Sequence, residues 1–221
     1  MSNLGKIMKE TIENFLKNPS NIKELNSRSE ADLQFELGYF LRKKYEENEE
    51  EKKVRFEYQF KKFYQEEQPL KKEADICLLN SNVEVDYCIE IKLLKEKPGS
   101  TNFFAKCFQD ICYLQQLING NQIKKGYFVF VCTCLEAIEK KRESLGSKFW
   151  KVSDTNNLKG KKNELVELKR YKEADLPKTS QKLKKHIQEK TFKEINKKIE
   201  YHKVYEGEKF RYVYCIIELN K

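Results

Sequence analysis

The chain reads as an α/β protein built on a mixed β-sheet flanked by helices. Three observations lead there. Period-two hydrophobicity marks strands over 54–60, 73–79 and 83–93. Helical stripes precede and follow them. An almost wholly apolar run at 127–133 (YFVFVCT) then reads as a strand buried on both faces. A helix between the third and fourth strands lets them lie side by side in parallel.

Taken in order, residues 1–20 predict a short helix ending at Asn18-Pro19-Ser20. A second helix follows over 30–45, with Leu33, Leu37, Phe40, Leu41 and Lys44 on one stripe. The charged run 46–53 reads as a solvated loop or a frayed helix end. In the first strand Val54, Phe56, Tyr58 and Phe60 alternate with Arg55, Glu57 and Gln59. The segment EADICLL at 73–79 is the second strand, and Asn80-Ser81-Asn82 is a hairpin signal leading to the third. There Val83, Val85, Tyr87, Ile89 and Ile91 share a face, and Lys97-Pro98-Gly99-Ser100 ends the strand. The helix over 102–119 has Phe104, Phe108, Ile111, Leu114 and Ile118 at helical spacing and closes at Asn119-Gly120. Residues 178–202 predict a long basic helix with Leu183, Ile187, Ile195 and Ile199 as its apolar edge, and 211–219 a last strand. The stretch 147–177 shows no clear pattern.

The whole is expected to form one domain over 1–221, with a core over 30–133 and a basic helical elaboration over about 139–203. With 221 residues, 39% apolar and 36% charged, the chain has material for a single packed core and is too apolar for disorder. It has no run of the length a membrane span needs. The polar N-terminus lacks a signal-peptide core, so an intracellular protein is expected. Seven cysteines, an odd number mostly inside apolar patterns, read as reduced core residues. Cys132 and Cys134 lack a matching CxxC or histidine partner for a zinc site. His186 and His202 lie on a lysine-rich stretch and are assigned no chemistry.

Net charge is +9. Residues 139–203 hold 20 basic and 10 acidic side chains, so this segment carries the entire surplus. That asymmetry points to a polyanion, although 38 lysines against 6 arginines also fit an AT-rich coding bias.

The chemistry lies in Asp75 and Glu90-Ile91-Lys92. Glu90, Lys92, Asp86 and Cys88 share one strand face, and Glu90 sits among residues that want burial. An acid and a lysine two apart at a strand end are ordinarily an ion pair. Asp75 alters that reading, because the hairpin at 80–82 brings it to the same end. Two converging carboxylates suit Mg²⁺, a hard cation that keeps several waters. Lys92 can then orient or activate water, or stabilise charge developing on a phosphate. Glu36, inside the apolar stripe of its helix, is a third acid. Glu30 and Asp32 stand at the helix start, where acids cap.

Glu36, Asp75 and Glu90-Ile91-Lys92, in the order helix, three strands, helix, strand, resemble the PD-(D/E)XK nuclease superfamily. The resemblance covers about 30–133, with Ala74 where that family usually has proline. Gln109 and Tyr113 resemble the Gln-x-x-x-Tyr feature of its RecB-like branch. The resemblance implies a restriction-endonuclease-like fold and a Mg²⁺-dependent (or Mn²⁺-dependent) phosphodiesterase. Asp75, Glu90, Glu36 and the Ile91 carbonyl would hold the metal, and Lys92 would be catalytic. Gln109, Tyr113 and, from the basic segment, Lys182, Lys184 and Lys185 would meet DNA. A homodimer, each protomer cutting one strand, is also implied. With no P-loop and a compact size, a restriction or other defence endonuclease is the leading expectation. A structure-specific repair or recombination nuclease, or a non-catalytic binder of nucleic acid or protein on the same fold, are the alternatives.

Overall fold

A computed structural model describes residues 3–22, 27, 29–47, 53–60, 73–95, 102–134, 164–167 and 198–221. Helix α1 (Asn3–Lys17) and a 3-10 turn (Pro19–Ile22) lead into α2 (Glu30–Glu47). Strands β1 (Lys53–Gln59), β2 (Glu73–Leu79) and β3 (Val85–Leu94) follow, then α3 (Asn102–Asn119) and β4 (Lys125–Cys132). The chain continues with β5 (Glu164–Glu167), β6 (Lys198–Glu206) and β7 (Lys209–Leu219).

The seven strands form one mixed sheet in the order β1-β2-β3-β4-β7-β6-β5. Among the described residues only β3 and β4 pair in parallel, joined through α3; every other described pairing is antiparallel. Helices cover both faces. On one, Met8, Ile12, Phe15 and Leu16 of α1 and Leu33, Leu37 and Leu41 of α2 pack on Tyr87, Ile89, Ile91 and Val129. On the other, Cys107, Ile111, Leu114 and Ile118 of α3 pack on Cys88, Phe128, Phe130 and Ile217. Alternation along β3 and β4 thus feeds two cores, each large apolar side chain contributing about 1.5–3 kcal/mol by leaving water. The Tyr212 hydroxyl donates to the carbonyl of Leu16, tying an open end of α1 to β7. Gly38 lets α2 approach the sheet: a Cβ there would lie 2.2 Å from the Phe56 ring.

The basic elaboration differs from the expectation. Residues 198–202, expected to end a helix, open β6, which pairs with β7 through a tight turn at Gly207. Ile195 and Ile199 are four apart, but from Ile199 onward β-branched and aromatic residues (Tyr201, Val204, Tyr205) take over, and these favour a pleated strand. Most of 139–197, with the remainder of that expected helix, lies outside the described residues, as do Lys97–Ser100. No described helix is long and apolar enough to cross a membrane.

Candidate active site

The site forms where β2 and β3 part. Their pairing runs from Leu79↔Val85 to Ile76↔Ile89. Continued by one residue, that register sets Asp75 across from Glu90. There the Asp75 side chain takes over from the backbone, its Oδ2 accepting from the Ile91 amide at 2.8 Å. On the other side of β2, pairing with β1 steps from Phe56↔Ile76 to Tyr58↔Ala74 across Glu57. Glu57 has a left-handed φ of 48°, uncommon for a residue with a side chain. Gln34 of α2 donates from Nε2 to the Asp75 carbonyl at 2.5 Å. Asp75 is therefore held at its backbone from the helix above and at its carboxylate from β3.

Lys92 gathers the acids. Its ammonium donates to Glu30 Oε1 at 2.8 Å and to the Ile91 carbonyl at 2.9 Å. It also meets Asp110 Oδ2 at 3.0 Å. Its side chain is only 10% exposed and that of Asp110 6%. Burial alone would push the Lys92 pKa down. The charges of Asp110, Glu30 and Asp75, with the Glu30 hydrogen bond, more than reverse this and hold it above the ordinary lysine range. Lys92 is therefore a cation at neutral pH, suited to stabilising negative charge and not to accepting a proton.

Glu30 reaches the site because another acid does the capping. Ser29 Oγ accepts from the Asp32 amide at 3.1 Å, and Asp32 Oδ2 accepts from the Ser29 amide at 2.6 Å. This reciprocal box closes the N-terminus of α2. Glu30, at the first helical position, turns to the sheet, where its Oε2 also accepts from the Leu93 amide at 3.3 Å.

Glu90 is fully buried on the α3 face of β3, between Cys88 and Lys92. Cys88 and Cys77 face each other across the strands with Sγ atoms 2.7 Å apart. Burial, the Cys77 contact and the Glu90 charge all push the Cys88 thiol up, so it stays protonated. A carboxylate this deep requires compensation by hydrogen bonds or positive charge.

The donors fit a hard cation in kind and in charge: carboxylates and a backbone carbonyl, with Glu30 and Asp110 already directed at a positive group. Their present spacing is not that of a ready-made ion site. Among the described residues, no group of three or more His, Cys, Asp or Glu could hold a metal ion.

Of the residues singled out from the sequence, Asp75, Glu90, Ile91 and Lys92 come together. Glu36 does not share the face of α2 that meets them. At about 100° per residue it stands about 120° round the helix from Glu30 and about 160° from Gln34. The helix acid at this site is Glu30, set aside in the sequence because of its cap position. Gln109 is half-buried, whereas Tyr113 is 1% exposed and packs in the α3 core, so the pair does not present a joint surface to a substrate. The α3 residue that reaches Lys92 is Asp110. Its signal was a charge within the apolar stripe of Cys107, Ile111 and Leu114, the same signal that had drawn attention to Glu36. Lys182, Lys184 and Lys185 lie outside the described residues. No family model, curated protein or solved structure matches the chain.

Proposed function

We propose that the protein is a metal-dependent DNA endonuclease of the PD-(D/E)XK, restriction-endonuclease-like superfamily, acting in restriction or a related defence. The observation that carries this reading is the meeting of Asp75, Glu30 and Lys92 at the point where β2 and β3 part. The order α2-β1-β2-β3-α3-β4, with its parallel β3–β4 pair, supports it. Asp75, Glu90, Glu30 and the Ile91 carbonyl would hold Mg²⁺ or Mn²⁺. Such an ion, when bound, polarises a phosphoryl oxygen and lowers the pKa of its water. Lys92 supplies fixed positive charge beside the phosphate, where charge grows in the transition state. Asp110 and Glu30 keep that ammonium in place and charged. Gln34 and the Ile91 amide fix the Asp75 backbone and carboxylate. Lysines of the basic segment would contact phosphates, giving an affinity that falls steeply with salt. A homodimer would place one such site on each DNA strand.

The test is cleavage of plasmid DNA with Mg²⁺ or Mn²⁺, with Glu90→Ala and Lys92→Ala as controls. Discrete fragments lost in both variants are expected. Ragged degradation would favour repair or recombination chemistry. No cleavage of DNA or RNA, with binding intact in both variants, would leave a non-catalytic nucleic-acid binder.

A further inference from the structure

We propose that Lys92 is an internal counter-ion that holds the place of the divalent cation, so that a cation enters only by taking Glu30 and the Ile91 carbonyl from it. This inference rests on the metal-dependent reading above.

An ammonium group has three N–H donors and no acceptor. Lys92 meets three acceptors at hydrogen-bond distance: Glu30 at 2.8 Å, the Ile91 carbonyl at 2.9 Å and Asp110 at 3.0 Å. Two of its donors are engaged by Glu30 and the Ile91 carbonyl, and the Asp110 carboxylate meets the ammonium as an ion pair. Two of the three acceptors are groups that would ligate the cation. The third, Asp110, comes from α3 and is far more deeply buried than Glu30.

The three contacts differ in how readily they release. Glu30 is 41% exposed at a helix end, and its second bond, to the Leu93 amide, is long at 3.3 Å. Its carboxylate can turn with little loss. Asp110, 6% exposed in the middle of α3, cannot. A cation that binds Glu30, Asp75 and the Ile91 carbonyl therefore strips two partners from Lys92 and leaves it anchored by Asp110. Two N–H groups then become available beside the ion. Cation entry and the arming of Lys92 are a single exchange. Asp110 is the positioning residue that keeps the lysine at the site after it.

Calorimetric titration of the full-length protein with Mg²⁺, and separately Mn²⁺, tests this without reference to activity. Lys92→Met keeps the length and removes the competitor. It should bind the cation at least about tenfold more tightly than the wild type, because a charge-assisted hydrogen bond no longer has to be broken. Glu30→Gln should weaken binding in both backgrounds. Equal affinity in wild type and Lys92→Met overturns the counter-ion role and leaves the metal site standing. Binding by neither protein overturns both readings together. Tighter binding by Lys92→Met, with no DNA cleavage by the wild type, upholds the exchange and removes the nuclease. Should Lys92→Met not fold, NMR of ¹⁵Nζ-labelled lysines in the wild type decides. The Lys92 ammonium should be protected from exchange without cation and shift and exchange faster on adding Mg²⁺; an unchanged signal refutes the exchange.

Discussion

Gln34 and Asp75 lie 41 residues apart, yet the Gln34 amide donates to the Asp75 carbonyl at 2.5 Å. Through that bond, α2 governs where the first acid of the site stands. Gln34→Ala removes the donor and leaves a part-buried carbonyl to find water. A loss of about 1 kcal/mol in urea unfolding is expected. DNA cleavage should fall by more than that stability loss explains, since the Asp75 backbone is freed as well. Cleavage at the wild-type rate would mean that β3 alone positions Asp75.

Lys92 should act on stability in a defined pH window. Its folded pKa is raised, so its contribution is complete below the ordinary lysine value of about 10.4 and is lost only as pH climbs through the raised one. Between pH 6 and pH 9, roughly, this group should therefore add no slope to the stability curve. Lys92→Met leaves Asp110 and Glu30 without their cation, and a loss of about 3 kcal/mol at neutral pH is expected in the absence of divalent ions. The gap to wild type should narrow on acidification, since the cost is that of unpaired buried negative charge. Denaturant titrations over a pH series check both; a gap that widens in acid would contradict the pairing.

Val83 carries a left-handed φ of 64° in the β2–β3 hairpin while its side chain is 58% exposed. A β-branched residue is strained there, and little packing holds it. Asn80 fixes the turn around it: its carbonyl accepts from the Val83 amide at 3.0 Å, and its side-chain oxygen accepts from the Glu84 amide at 3.0 Å. Val83→Asn should relieve about 1 kcal/mol of strain. A higher urea midpoint at unchanged slope is the expected reading, and a lower one would show that the valine side chain contributes to packing.

How far the sequence spoke depended on the range of the interaction. Strand β2 and helix α3 have their expected ends because alternation, helical spacing and the Asn119-Gly120 stop are local. The parallel β3–β4 pair followed from the intervening helix. The β6–β7 hairpin was missed at its start, since Ile195 and Ile199 satisfy a helical spacing and only pairing with β7 decides the matter. At the site, Asp75, Glu90 and Lys92 were legible because two of them share a strand face and a short hairpin brings in the third. Glu30 was hidden by a sound rule applied to the wrong acid: one carboxylate caps α2, and it is Asp32. Asp110 was passed over in favour of the Gln109 and Tyr113 pattern, although a charge in a buried stripe is the stronger physical signal.

The contacts of the site span very different lengths of chain. Asp75 and Ile91 are 16 residues apart, whereas Lys92 and Glu30 are 62 apart. Closing the short hairpin loses less chain entropy and should come first during folding. The lysine is then carried toward burial before α2 has docked to supply Glu30. Completion of the charge cluster thus belongs after the rate-limiting step. Glu30→Gln should accelerate unfolding and leave refolding nearly unchanged in stopped-flow experiments. Slowed refolding with an unmoved unfolding arm would instead place α2 docking at the start of the folding reaction.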